Sequence, residues 1–451
     1  MMLHLNFHGN SHNESNDVEI NCNGEVILKR RKHLNQKRGY SLLTGLLQNI
    51  TVYCYVMIFL LCALICLFIL FYLCYFFTSN LIRFLLDILY YWKGVTFISN
   101  VYCINAQLSI VIILFFSYTF YWLYDWGSEN HGGHRRQFMR QLIIWKWIAD
   151  YFPVHLVISK DFIKYIKFRY TTKQRSVISD SNINKCLDNY DGITTPSDLD
   201  DNNNGGCEEI EEIPVTSSLL TDANYLVGFH PHGILATGAF INFATEATGF
   251  SKVFPSFKPF LAAMKTLFIP PLYRDFLMSL GIISADKTGL LNVLNKSNCN
   301  QTGNFVVVVL GGAAEALDAR PGKYVIHINQ RFGFFKLALQ TGAYLVPCIS
   351  FGEQSLYKQV ANDQGSWLRW LQDKFTSIFG FAVPIFYAHG PFPYRRPIYT
   401  VVGAPIYCEQ IKEPTDEQVV HIKDIYKKKL QSLFEEYKRI YDPQAEDIQF
   451  I

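Results

Sequence analysis

Apolar residues are arranged in two ways along this chain, and the change between them divides it. Residues 1–48 are polar for most of their length, carry a basic cluster (Lys29, Arg30, Arg31, Lys32, Lys37, Arg38) and show no sustained apolar period. That pattern predicts a disordered N-terminal segment, one too long and polar to be the leading part of a signal peptide. Residues 51–78 then run without a single charge. Crossing a bilayer takes about 20 apolar residues, and a buried globular helix seldom stays apolar on every face for so long. The run therefore predicts a transmembrane helix. A second apolar run, 108–124, is near the lower limit for a span and reads as a second crossing or as a re-entrant or interfacial helix. Basic residues gather before the first run and after the second (Arg135, Arg136, Arg140), with only Arg83 and Lys93 between. By the positive-inside tendency this predicts a hairpin over 49–124 with both flanks in the cytosol.

Past the hairpin, residues 125–170 mix aromatic, apolar and basic side chains around Tyr151-Phe152-Pro153. Pro153 interrupts any continuous helix, and the mixture predicts a membrane-proximal segment that packs on the following domain and whose Lys164, Lys167 and Arg169 meet lipid head groups. Residues 171–212 are Asn/Asp-rich and acidic, the composition of a flexible insertion. From 213 to 451 the pattern becomes that of a packed domain. Short β-branched runs at 225–229, 305–310, 343–347 and 399–402 alternate with helical stretches at 335–340 and 422–437. Unbroken apolar strands between helices predict an α/β fold with a mainly parallel sheet.

Composition agrees with a bilayer protein: 16% aromatic and only 18% charged, with a net charge of +3. That charge is too near neutral for a nucleic-acid partner, and no basic/aromatic repeat is present. The 11 cysteines include no Cys-x-x-Cys pair, and Cys54, Cys62, Cys66 and Cys74 lie inside apolar runs. They read as free thiols rather than a disulfide framework.

Candidate chemistry concentrates at His230-Pro231-His232-Gly233. Two residues apart at a strand end, the imidazoles would share a face, and open α/β sheets bind ligands beyond such ends. Spacing leaves three readings: proton transfer from a hydroxyl, a structural histidine capping the turn, or a metal site. For the last, two histidines do not complete a zinc shell and no third ligand is nearby, so no metal is expected. The strand at 305–310 runs into Gly311-Gly312-Ala313-Ala314-Glu315. Small residues there let backbone amides approach a phosphate or an oxyanion. Glu315 reads either as an orienting carboxylate or as a complement to a helix dipole. Neither a dinucleotide fingerprint, a Walker loop nor a Gly-x-Ser-x-Gly elbow is present. Direct transfer is therefore simpler than a covalent acyl-enzyme.

These motifs, taken in order, resemble the type 2 diacylglycerol acyltransferases and their monoacylglycerol acyltransferase and wax synthase relatives. The resemblance runs through Asp125-Trp126, Tyr151-Phe152-Pro153, Phe229 with His-Pro-His-Gly, Thr245-Glu246, and Gly-Gly-Ala-Ala-Glu315. It continues through Gly333-Phe334, Ser350-Phe351-Gly352-Glu353, Arg396-Pro397 and Val401-Val402-Gly403. It implies an acyl-CoA donor as co-substrate without a cofactor, a lipid alcohol acceptor, most simply diacylglycerol, and triacylglycerol as product. It further implies His230, His232 and Glu315 as catalytic groups, with Gly311, Gly312, Arg331 and Lys336 toward CoA. The implied setting is the endoplasmic reticulum membrane or a lipid droplet, in contact with membrane lipid, as a monomer or an oligomer. Monoacylglycerol, a long-chain alcohol or water are other acceptors to weigh, and a non-catalytic droplet tether is the reading from a different class. Two departures stand out. Phe332 replaces the lysine usual after Arg331, and Ala404 follows Val-Val-Gly where some members have a charge. The glycerolipid acyltransferases' His-x-x-x-x-Asp is also missing, since Leu235 and Thr237 stand five residues after His230 and His232.

Overall fold

The computed structural model describes residues 18–20, 26–28, 42–92, 101–178, 221–295, 302–389 and 392–451. Two long helices lead the chain, α1 (Leu42–Trp92) and α2 (Val101–Tyr124). Both apolar runs are thus helical. Among the described residues, no helix is long and apolar enough to cross a membrane, so the crossing itself rests on the sequence pattern. Within the stretch expected to be disordered, β1 (Val18–Ile20) and β2 (Val26–Leu28) form a small antiparallel pair. The rest of the acidic insertion beyond Ile178, up to residue 212, lies outside the described residues.

The domain is a nine-stranded sheet of order β1-β2-β3-β12-β9-β4-β7-β5-β6. Its centre is β4 (Tyr225–His230), flanked in parallel by β7 (Asn304–Val309) and β9 (Tyr344–Phe351). Strands β5 (Lys258–Ala263) and β6 (Ile282–Ser284) extend the parallel part. On the other side β12 (Ile398–Val402) runs antiparallel to β9, and β3 (Val154–Ile158) runs parallel to β12. Short pairs β8 (Val325–Ile326) with β13 (Gln449–Phe450), and β10 (Lys358–Gln359) with β11 (Phe386–Tyr387), complete the strands.

The segment expected at the membrane surface supplies a buried strand whose Val154, Leu156 and Ile158 enter the core. Ahead of it, α3 (Ile143–Tyr151) buries Trp145 and Ile148, and behind it runs α4 (Lys160–Ile178).

Alternating strand residues feed the two faces, as the period of two requires. Tyr225, Val227, Phe229, Phe305 and Val307 join one cluster with Phe240 and Trp145. Leu226, Val306, Leu345 and Ile349 join the other, covered by α7 (Phe332–Thr341) and α9 (Asp416–Tyr441). Helices α5 (Tyr273–Ser279), α6 (Gly312–Asp318) and α8 (Trp367–Phe379) fill the remaining perimeter. Helix α9 starts on a capping box between Thr415 and Gln418, which satisfies orphan backbone groups reciprocally. Helix α1 belongs to this core as well: Val52, Tyr55 and Val56 are buried, and Tyr55 and Phe59 pack on Phe240.

Candidate active site

Strand β4 reaches the sheet edge at His230, on the face covered by α9. Tyr426 of α9 holds its hydroxyl 3.2 Å from His230 Nε2 and 3.2 Å from the Gly228 carbonyl. A Cβ on Gly228 would collide with that hydroxyl, which explains a glycine inside a buried strand.

Beyond His230 the strand ends, so the expected pleat does not carry His232. A turn does: Gly233 has φ +63°, a conformation that glycine adopts without a steric penalty. The two imidazoles nevertheless converge on one carboxylate. His230 Nδ1 is 3.9 Å from Glu315 Oε1, and His232 Nε2 is 3.9 Å from Oε2. The His232 amide donates to Oε2 at 3.2 Å. His232 Nε2 also lies 2.7 Å from the Gly312 carbonyl. A carbonyl only accepts, so Nε2 carries the hydrogen and Nδ1 keeps the lone pair. His230 is fully buried, whereas His232 is 6% exposed. Of the two, His232 is the one with an opening to the outside.

Glu315 sits in the first turn of α6 and is 1% exposed. Burial opposes its ionisation, but its interactions with His230, His232 and the His232 amide outweigh that and hold its pKa below the ordinary glutamate range. The placement that each sequence reading requires is present: a position in the first helical turn and a contact to each histidine. The double glycine is shaped by this carboxylate. A Cβ on Gly311 would overlap the Glu315 carboxyl, and the Gly312 carbonyl is the partner of His232. Arg331 braces the same turn by donating from Nη2 to the Gly311 carbonyl at 3.0 Å.

Lys336 does not join it. Five residues along α7, at 100° per residue, it is turned roughly 140° away from Arg331, and it is exposed. The paired base expected at this turn is thus reduced to Arg331. At the position of the missing family lysine, the Phe332 ring lies 4.0 Å from the Lys423 ammonium.

A second carboxylate backs the turn. Glu353, 2% exposed, follows β9 and accepts from the Gly238 amide at 2.8 Å and the Ser350 hydroxyl at 3.4 Å. Burial outweighs these bonds and the Thr237 amide, pushing its carboxyl up to about 8. A Cβ on Gly233 would come within 2.9 Å of Glu353 Cγ and 3.0 Å of its carbonyl oxygen. The turn rests directly on Glu353. Other motif residues are structural: buried Arg274 binds Asp125 and Glu129 at 3.0 Å each, and buried Arg140 binds Glu246 at 3.3 Å. Among the described residues, no group of three or more His, Cys, Asp or Glu is placed to hold a metal ion.

The sequence did not single out Tyr426. It falls at helical spacing with Val419, Ile422, Leu430 and Leu433 and reads as ordinary core. Glu353 was visible only as part of a motif.

A family profile described as Diacylglycerol acyltransferase matches residues 102–189 and 212–450. The chain belongs to this family. The break in the match falls within the acidic insertion. Among related proteins, 2-acylglycerol O-acyltransferase 1 of Bos taurus is 38% identical, covering 76% of this chain and 88% of its own length. Diacylglycerol O-acyltransferase 2 of Danio rerio is 37% identical over 71% of this chain and 74% of its own. The Homo sapiens protein of the same name is 35% identical over 75% and 72%. No solved structure matches the chain at a significant level. In this member of the diacylglycerol acyltransferase family, then, the His-Pro-His-Gly turn and the Gly-Gly-Ala-Ala-Glu turn meet in one buried cluster.

Proposed function

We propose that this family member is an acyl-CoA-dependent acylglycerol O-acyltransferase that makes triacylglycerol from diacylglycerol, with His232 as the general base. The observation that carries the reading is the fixed tautomer of His232: its Nε2–H is held by the Gly312 carbonyl, leaving the Nδ1 lone pair for chemistry. Nδ1 takes the proton of the acceptor hydroxyl as the oxygen attacks the thioester carbonyl. Glu315, 3.9 Å behind Nε2, stabilises the imidazolium that forms. Collapse of the tetrahedral intermediate expels the CoA thiolate, and the imidazolium returns its proton to the sulfur. A thiol with a pKa of about 8.5 leaves without a strong acid. His230, buried between Tyr426 and Glu315, positions the carboxylate rather than meeting substrate. Positioned base catalysis accounts for about 10²–10⁴-fold. Orientation of two substrates at the membrane face adds to that.

The setting follows from the charge-free run at 51–78. A hairpin of α1 and α2 crossing the endoplasmic reticulum membrane would leave the domain on the cytosolic side, beside its lipid substrates. A second reading of the acceptor, monoacylglycerol, is favoured by the 38% identity to a 2-acylglycerol enzyme. One assay separates them: full-length protein in nanodiscs with labelled acyl-CoA and either acceptor. Triacylglycerol formed from diacylglycerol, abolished in His232→Ala, is the expected result. Full activity in His232→Ala would sink the base assignment.

A further inference from the structure

The strand directions place a second set of basic and aromatic side chains at the same end of the sheet. β4 and β9 end there, at His230 and Phe351, and β12 begins there because it runs antiparallel to β9, with Tyr399 opposite Phe351. β3 begins there too, since Val154 pairs with Ile398. Residues just ahead of these two strands, Tyr151 and Arg395-Arg396, are therefore brought together beside the catalytic turn. Close packing links the two places. The turn at Gly233 rests on Glu353, and a Cβ on the adjoining Gly352 would overlap the Pro397 carbonyl oxygen.

The second group, with exposed His389, Arg395 and Arg396, lines an open surface pocket of about 380 Å³ together with Tyr151, Pro393 and Tyr394. Ligand pockets typically start near 300 Å³. None of the six lining residues is a carboxylate. Exposed Lys358 adds positive charge nearby, its ammonium 6.0 Å from the Tyr394 ring. The wall is held in shape: the Tyr151 hydroxyl donates to the Pro393 carbonyl at 2.8 Å, and the Tyr394 amide donates to the Leu356 carbonyl at 2.9 Å. Arg395 lies over the Tyr151 ring at 4.3 Å and donates to Gln48 and Asn49 at the start of α1. Arg396 is tied to no side chain by a hydrogen bond or ion pair among the described residues.

We infer that this cavity is a phosphate-binding subsite, in which Arg396 and His389 grip a phosphate group and Arg395, steadied on Tyr151, completes the field. The guanidinium fork matches phosphate oxygens in two parallel bonds. In the acyltransferase reading, on which this assignment rests, the phosphates of acyl-CoA are joined to the thioester by a long flexible arm. Their site must then lie apart from His232 but on its side of the sheet, as this cavity does. The Arg331 turn, engaged with Gly311, is not needed for that task. An anionic phospholipid head group offers the same chemistry at the entry of α1.

Binding, which needs no turnover, tests this separately from catalysis. Full-length protein is placed in nanodiscs of phosphatidylcholine alone, and CoA affinity is measured by calorimetry for wild type, Arg396→Ala and Arg396→Lys. A single charged contact to phosphate lost should weaken CoA by about 10-fold or more in the alanine variant, with the lysine variant intermediate. CoA lacking its 3′-phosphate and CoA itself should then show which phosphate is gripped. If CoA binding is unchanged while association with vesicles containing phosphatidylserine falls about 10-fold, the phosphate is that of a lipid head group. If neither changes, the subsite is disproved. Absence of acyl transfer in wild type that still binds CoA through Arg396 would instead overturn the reaction and leave the subsite standing.

Discussion

Two glutamates stand within one sheet edge, both all but removed from water, and the protein treats them oppositely. Glu315 faces two imidazoles and an amide and stays ionised. Glu353 has only neutral donors around it, and burial drives its carboxyl up to about 8. Burial is nearly equal for the two, so the neighbours decide which acid is a charge and which is a scaffold. In the proposed mechanism, a charge beside His232 would stabilise the imidazolium formed in transfer. A neutral acid under Gly233 holds the turn without disturbing that balance.

The largest effect should come from removing the charge. Glu315→Gln keeps the shape and deletes the ion, so kcat should fall by about 10²–10⁴-fold with little change in melting temperature; full activity would erase the distinction between the two acids. Glu353→Gln should be the mirror case, keeping most activity because it preserves the acceptor for Gly238. Glu353→Ala should destabilise the protein by about 1–3 kcal/mol, leaving that amide unsatisfied, as read by thermal unfolding of both variants. Smaller again is the pH signature. The Glu353 carboxyl is raised in the folded state, so its contribution is fully present below the unfolded value near 4.5 and is lost as pH rises through about 8. Melting temperature of wild type should fall between pH 5 and 8 more steeply than that of Glu353→Gln. Glu315 works in the other sense, its contribution present above the unfolded value and lost as acid protonates it. Tyr426→Phe should have the smallest effect, a few-fold loss in kcat with a shifted pH–rate profile, because it frees His230 Nε2 without touching His232.

Much of this architecture could be read in the chain. Strands β4, β7, β9 and β12 announce themselves as β-branched runs, and the helices covering one face follow a helical period. β3 hid because Val-His-Leu-Val-Ile sits among aromatic and basic residues behind Pro153. β5 hid because Pro259 and two alanines are poor strand formers; Pro259 is accepted there because β6 pairs only from Leu261 onward. His230, His232 and Glu315 were legible as candidates, but their meeting was not. It depends on a left-handed glycine and on β7 lying beside β4, which local sequence does not encode. Lys336 is turned away from Arg331 for a related reason: a base near a turn in sequence is placed by helical rotation, not by proximity.

The burial of Val52, Tyr55 and Val56, with the Tyr55 hydroxyl 3.3 Å from Thr237 Oγ1, bears on how far this enzyme can be taken apart. Thr237 lies five residues past His232, so the first helix is packed against the segment that follows the His232 turn and is not a leash. A water-soluble version obtained by trimming that helix would lose several packed side chains, each worth about 2–5 kcal/mol when cut back in a core. Solubilisation by truncation would thus hollow out the very region that makes the turn rigid. The far side of α1 is in effect one helix diameter from the His232 turn, about 10 Å.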